Sequence, residues 1–274
     1  IEYPDRLTVI DQDAQNRIYI EGKPTGRYNF LNVLRSCKGK YISILDGDDY
    51  WVDDEKLQRQ VDFLEANSDY SACTANTHYL KSDELSGTYI ETKEAWLRLK
   101  IKDEISYSSI IKRAFPHTST WIYRNEIEFK DDFLKYPVGD VAIFLLVAAA
   151  GKIKYEDKVV SVYRIHDRGV AAHFDRAKRL LFVDQMISMF MSIDAELDHR
   201  FRQETAEGIS FYLRNYMRTY PTFSLYIGLQ NRLIQLKLKE KLPINLLIEF
   251  SMMTFNYIFA NIRVIKRSLF SKMS

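Results

Sequence analysis

The sequence predicts an α/β fold followed by an α-helical region, and three observations carry that expectation. Short apolar runs of strand length alternate with amphipathic stretches of helical spacing as far as about residue 172, the pattern of a sheet covered by helices. The run Tyr41-Ile42-Ser43-Ile44-Leu45 suits a strand covered on both faces, and it leads straight into the acidic turn Asp46-Gly47-Asp48-Asp49-Tyr50-Trp51. From about Phe174 the strand signals stop and long helices begin, broken at Pro221 and Pro243. The expected domains are residues 1–173 and a helical appendage over residues 174–274.

The elements follow in order. Ile1 to Arg6 reads as the end of a helix running into a strand, Leu7 to Ile10; with no initiator Met and no signal peptide, the sequence reads as beginning inside a domain. A polar loop spans Asp11 to Gly26. Phe30, Leu31, Leu34 and Cys37 then mark a helix stopped by Gly39. After the 41–45 strand and the acidic turn, Asp53 and Asp54 favour a helix start, and Leu57, Val61 and Leu64 predict the buried face of a helix over 54–66. Ser71 to Tyr79 predicts a strand, Ser86-Gly87 a turn, Asp103 to Arg113 a helix and Thr118 to Tyr123 a strand. Asp140 opens an apolar helix, Val141 to Ala150, closed by Gly151, and Ile153 to Val162 predicts a strand ending in Tyr163-Arg164-Ile165-His166-Asp167.

Composition narrows the function classes. With 274 residues, 46% hydrophobic and 28% charged, the chain can bury a full core, which argues against disorder. Its net charge of +2 is not gathered in the first domain, so nucleic acid is not an expected partner. Cys37 and Cys73 form neither a disulfide framework nor a metal spacing, which suits reduced cytosolic thiols.

The acidic turn is where chemistry is expected. In open α/β sheets ligands sit at the carboxyl ends of strands, where Asp46, Asp48 and Asp49 fall. Crowded carboxylates resist ionisation unless a cation relieves them, and Mg²⁺ or Mn²⁺ binds through such carboxylates together with substrate phosphates. The same four residues are also good turn and N-cap chemistry, through a Gly free to take positive φ and Asp side chains that bind backbone amides. An EF-hand fits less well, because the stretch from Asp46 ends at Leu57 where a glutamate is needed.

Taken together, these motifs resemble a family 2 glycosyltransferase with the GT-A fold, Rossmann-like with a mixed sheet. Gly39 to Trp51 resembles the strand and DXD motif of that family, and Lys56 to Glu65 resembles its following helix. Gly139-Asp140 before an apolar helix and Gly151 resembles the xED motif, and Tyr163-Arg164-Ile165-His166 resembles the C-terminal Arg/His segment. The resemblance covers about residues 1–172. Two departures stand out: the first strands of the fold, which carry base and ribose recognition, are missing from the pattern, and Gly139 replaces the motif's Glu.

The resemblance implies sugar transfer from a nucleotide-diphosphate donor to an acceptor hydroxyl with inversion. Asp46 and Asp48 would hold a divalent metal, Mg²⁺ or Mn²⁺, that neutralises the leaving diphosphate; Asp49 either ligands it or caps the next helix. Asp140 would take the acceptor proton, alongside a role at the start of helix 141–150. His166 completes the metal or diphosphate site or is a structural histidine, and Arg164 offers charge to phosphate oxygens. Trp51 stacks on the donor or packs on the adjacent helix. Weaker candidates are His117 on the acceptor side, and Arg27 and Asn29 at a helix start near the ligand edge.

In the tail, residues 221–274 hold eight Lys or Arg against two acids, and the last helix pairs a polar stripe with a wide apolar surface. No apolar run reaches the about 18 residues of a spanning helix. The tail is expected either to lie on an anionic membrane surface or to dock on protein. The full expectation is a cytoplasmic, peripheral enzyme at the inner face of a bacterial membrane, acting in envelope or surface polysaccharide synthesis on a saccharide or lipid-linked acceptor. The competing expectations are a sugar nucleotidyltransferase, which needs a Gly-rich basic phosphate loop, and a non-catalytic α/β binding module in which the acidic turn is structural.

Overall fold

The computed structural model describes residues 6–10, 13–20, 23–82, 89–92, 103–112, 116–165, 176–219, 248 and 252. The chain divides into two compact units, Ile1–Met189 and Phe190–Ser274. The domain boundary expected near residue 173, the Ser86-Gly87 turn and the breaks at Pro221 and Pro243 lie outside the described residues.

Unit 1 is built on a mixed sheet with helices, the α/β architecture that the GT-A resemblance implies. A short antiparallel pair, β1 (Ile18–Ile20) and β2 (Lys23–Thr25), precedes helix α1 (Arg27–Ser36). The main sheet contains β3 (Tyr41–Ile42), β4 (Tyr50–Trp51), β5 (Tyr70–Ser82), β6 (Tyr89–Thr92), β7 (Glu104–Ile105), β8 (Ile122–Arg124) and β9 (Lys152–Ile165). Its path runs β3-β8-β5-β9-β4, with β6 paired to β5 and β7 to β9. The long β5 and β9 run parallel, and every other pairing is antiparallel. This central parallel pair is what carries the end of β9 up to the acidic turn.

Helices α2 (Lys56–Ala66) and α4 (Gly139–Ala150) cover opposite faces of the sheet. Leu64 of α2 clusters with Cys73 and Ile122, whereas Phe144 of α4 stacks on Trp121 with ring centroids 3.8 Å apart. Trp121 and Ile122 are adjacent in extended chain, and successive side chains there point to opposite sides. Almost every residue of α4 from Val141 to Ala149 is buried, which explains a helix with no polar face. Helix α3 (Tyr107–Ile111) packs beside α4, and Ser106 caps it by accepting the Ser109 N–H.

Several local expectations change. Residues 7–10 form no strand, and Leu7 and Val9 are exposed. The 41–45 strand pairs only over β3 and is not covered on both faces: Ile42 is buried, Tyr41 and Ser43 are half-buried, and Leu45 is exposed. The 103–113 helix is instead β7 followed by α3, because Glu104 and Ile105 pair with Lys154 and Ile153. The buried face of α2 is Lys56, Gln60 and Leu64, with Leu57 exposed, since the helix turns its polar ends under the acidic turn where they find partners. The expected strand start at Thr118–Thr120 is a 3₁₀ turn, held by Thr120 N–H to the His117 carbonyl.

In α5 (Arg176–Glu196), buried Val183, Met186, Ile187, Phe190 and Ile193 recur at helical spacing. Within unit 2 that helix ends in a Schellman arrangement: the His199 N–H donates to the Asp194 carbonyl and the Asp198 N–H to that of Ala195. Asp198 and His199 take φ of 52° and 60°, where glycine is usual, and His199 Nδ1 lies 3.0 Å from Asp194 Oδ2. Helix α6 (Arg202–Thr219) follows. Among the described residues no helix is long and apolar enough to cross a membrane.

Gly151 is required by close approach rather than by left-handed backbone, since its φ is −179°. A Cβ there would meet the Asp69 carbonyl oxygen at 2.9 Å and the Ser71 nitrogen at 3.0 Å, where β9 leaves α4 to join β5. Gly151→Ala is expected to lower stability by about 1–3 kcal/mol, the usual cost of forcing extra volume into packed structure. Urea unfolding midpoints check this, and an unchanged midpoint would refute it.

Candidate active site

Four carboxylates from two distant stretches, Asp46, Asp48 and Asp49 of the acidic turn and Asp140 of α4, meet at one end of the β5–β9 pair. The acidic turn is closed by the Asp49 N–H donating to the Asp46 carbonyl at 3.0 Å. Gly47 does not use the left-handed backbone its identity permits, and a Cβ there would meet nothing within 4 Å. The turn is tied down by its last acid. Asp49 is buried, and its Oδ1 accepts the backbone N–H of Arg164 at 3.1 Å. Its Oδ2 is buried with no hydrogen-bond partner, 3.7 Å from His117 Nδ1. Burial pushes this carboxyl up to about 6, against the opposing Arg164 N–H. Asp49 does not cap α2: the cap position is Glu55, whose N–H donates to Asp53 Oδ1.

From the other side, Arg164 Nε donates to the Asp48 carbonyl, and its guanidinium lies over the Tyr50 ring at 5.9 Å. Trp51 pairs through its backbone with Ser161, donates its indole N–H to the Ser119 carbonyl at 2.8 Å, and packs against Lys56 of α2. Asp140 lies in the first turn of α4, whose cap position is Val138. Its Oδ1 accepts the Val141 N–H at 2.8 Å and its Oδ2 accepts the Thr118 hydroxyl at 3.1 Å. A Cβ on Gly139 would come within 3.1 Å of the Phe30 ring and 3.4 Å of the Phe133 ring, so two aromatics occupy the space a side chain would need there.

Electrostatics ties these groups together. Burial raises the Asp46 carboxyl first, and Asp48 and Asp140 raise it further. The Tyr163 phenol is raised by burial and then by Asp49, Asp48, Asp46 and Asp140 in turn, so all four acids act on one hydroxyl. His117 stacks on Tyr163 at 4.1 Å, and burial lowers its imidazole to about 4 against the pull of Asp48. It is therefore neutral near pH 7, with Nδ1 2.9 Å from the Ser119 hydroxyl oxygen.

Asp46, Asp48, Asp49, Asp140, Trp51 and Arg164 are thus drawn to one place, joined by His117. His166 lies outside the described residues. Arg27 is a stitch, its guanidinium 3.4 Å from the Leu134 and Pro137 carbonyl oxygens, and Asn29 is exposed. Among the described residues no three His, Cys, Asp or Glu side chains form a ready metal cage. Mutual charge at Asp46 and Asp48 is nonetheless the condition a divalent cation relieves, and those two acids fit such an ion better than the inward-turned Asp49. Thr118 and Tyr163 were not singled out from the sequence. Three successive hydroxyl residues, Thr118-Ser119-Thr120, were the available signal for the first; Tyr163 carried none beyond its place beside Arg164.

Residues 8–129 match the model for glycosyl transferase family 2. The chain is 26% identical over 215 residues to uncharacterized proteins of Mycobacterium bovis and Mycobacterium tuberculosis, covering 76% of this chain and 58% of each relative. Over 170 residues it is 26% identical to the UDP-Glc:alpha-D-GlcNAc-diphosphoundecaprenol beta-1,3-glucosyltransferase WfaP of Escherichia coli, covering 61% of each chain. The chain spans about three fifths of the length of these relatives.

Under the site, Lys56 is fully buried, with Nζ 3.3 Å from Ser43 Oγ and 4.8 Å from the Trp51 ring centroid. Burial lowers its ammonium from 10.5 to about 8. The unfolded chain therefore holds this proton more tightly, so the cost of burying the charge is full below pH 8 and disappears between 8 and 10.5. Lys56→Met is expected to be the more stable protein near pH 7, with an advantage that narrows as pH rises through that window. Urea titrations across the range check this; a gap independent of pH would refute it.

Proposed function

We propose that this chain, which carries a family 2 glycosyltransferase domain, transfers a sugar from a nucleotide-diphosphate donor to an acceptor hydroxyl with inversion at the anomeric carbon. One observation carries the reading: the turn holding Asp46, Asp48 and Asp49 is tied to the end of β9 by two hydrogen bonds from Arg164, and the 116–120 turn links Asp49, beside His117, to Asp140 at the start of α4, bonded by Thr118. Acids suited to a metal or diphosphate and a proton acceptor are thereby linked through one rigid turn.

In the proposed reaction the acceptor oxygen attacks the anomeric carbon as the bond from that carbon to the diphosphate breaks. The proton of the hydroxyl passes to Asp140, and the electron pair leaves with the diphosphate. Asp46 and Asp48 are the residues that would hold a divalent cation, Mg²⁺ or Mn²⁺, which would supply charge to offset that developing on the leaving group. Asp49 contributes by fixing the turn, with its carboxylate on Arg164. Arg164 would offer its guanidinium to phosphate oxygens from beside Tyr50, Trp51 packs on Lys56 of α2 behind the acidic turn, and His166 would complete the metal or diphosphate site.

The Escherichia coli relative is named for a UDP-glucose donor and a diphosphoundecaprenol-linked acceptor, and we extend that chemistry to this chain as its first test substrates, in envelope or surface polysaccharide synthesis. A lipid-linked acceptor suits a basic, amphipathic tail, in which Ile248 and Met252, one turn apart, are both exposed. We accordingly propose peripheral attachment to the inner membrane face. Flotation with liposomes of anionic composition is expected for the full chain and reduced for one ending near Pro221; equal flotation overturns the attachment.

Asp48→Asn and Asp140→Asn in the complete protein test the site, by UDP release from UDP-glucose in the presence of GlcNAc-diphosphoundecaprenol. Turnover is expected to fall at least about a hundredfold in each with the fold retained, in line with the usual contribution of a general base. Retained turnover in both overturns the assignment, and pyrophosphate release from UTP would point to a nucleotidyltransferase instead.

A further inference from the structure

Asp140 does not set its own orientation. A carboxylate has lone pairs on both oxygens, and among the described residues Oδ1 accepts the Val141 N–H and Oδ2 the Thr118 hydroxyl. The first partner belongs to the adjoining residue of the same helix and moves with it. The second comes from 22 residues upstream, on a different element. We infer that Thr118 is a positioning residue: its hydroxyl fixes the Asp140 carboxylate for proton abstraction and ties it to the turn that carries His117. This rests on Asp140 being the base.

The turn has the rigidity such a role requires. The Trp121 N–H donates to the Thr118 carbonyl, the Thr120 hydroxyl to the His117 carbonyl, and the Trp121 indole to the Pro116 carbonyl. Neighbouring elements clamp the turn from outside. Trp51 donates to the Ser119 carbonyl, Gln60 of α2 to the Thr120 carbonyl, and the Ser119 hydroxyl donates to Ser161 of β9. Thr118 itself is buried, so its hydroxyl has little water to turn to. At the other end of the same turn His117 lies 3.7 Å from Asp49. One stiff segment therefore spans the distance between the acid that fixes the metal-side loop and the acid that takes the proton. A base must be held within a fraction of an ångström of its productive position for full effect, which is what a second, long-range hydrogen bond secures.

Thr118→Val keeps the shape and removes the donor, and Thr118→Ser keeps the donor. Both are compared with wild type and Asp140→Asn in the UDP-release assay on the complete protein, alongside melting temperatures. Thr118→Val is expected to lower kcat roughly ten- to a hundredfold with KM little changed, the scale of a hydrogen bond to a charged group. Thr118→Ser is expected to recover most of the loss. Should the valine variant fold poorly, Thr118→Ala is read against Thr118→Ser in the same way. A wild-type kcat in a folded variant without the hydroxyl, or a serine variant as slow as the valine one, overturns the inference. Where Asp140→Asn is inactive but Thr118→Val is not, only the role of Thr118 falls; where Asp140→Asn stays active, the base assignment falls and takes this role with it.

Discussion

A carboxylate turned away from water holds this site together. Asp49 follows two acids that crowd each other, and on charge alone it belongs in solvent. Instead it is buried with one oxygen on the Arg164 backbone, so the acidic turn is anchored to the end of β9 rather than to the helix that follows it. The cost of that burial appears in the Asp49 carboxyl, which is pushed up to about 6. It is offset by the hydrogen bond from the Arg164 backbone N–H and by a second one from the Arg164 side chain to the Asp48 carbonyl. Two hydrogen bonds donated by Arg164, one from its backbone and one from its side chain, leave the turn little freedom.

The layer beneath the acids is unusually polar for a core. Lys56 and Gln60 are fully buried on the inner face of α2, and the hydroxyls of Thr77, Ser161 and Ser119 form a continuous chain across β5, β9 and the 3₁₀ turn. Thr74 and Thr120 make a further pair at 2.7 Å. Apolar residues would have filled the same space with less risk, since each buried polar group must find a partner. What the polar layer adds is direction: hydrogen bonds fix the orientation of the 116–121 turn, whereas hydrophobic contact would only hold it close. That turn is also what separates Asp49 from Asp140 by a set distance.

Much of this was legible in the chain. The acids of the turn and Asp140 stand at element ends, where side chains face solvent or ligand, and local patterns of apolar and acidic residues locate such ends well. Helices α2 and α4 and strands β5 and β9 follow for the same reason, as long periodic segments. Other residues were hidden by their ordinariness. Thr118 reads as one β-branched residue in a short apolar run, and its value lies in a hydroxyl aimed at a residue 22 positions away. Tyr163 reads as a strand aromatic, and its stacking on His117 is decided only by the fold. Residues 7–10 and 103–113 misled because short apolar runs carry no memory of what they pair with, and pairing decides whether they are strand, helix or neither.

The sequence by itself determined the α/β class, the position of the acidic turn after a strand and the acid at the head of an apolar helix. It did so because hydrophobic periodicity and charge at element ends are local properties. Only the tertiary structure decided that Asp49 faces inward while Asp46 and Asp48 are exposed, that two aromatic rings fill the space beside Gly139, and that a buried turn joins the two halves of the site. Those outcomes depend on burial and on hydrogen bonds between residues about 20 to 115 positions apart, which no local pattern encodes.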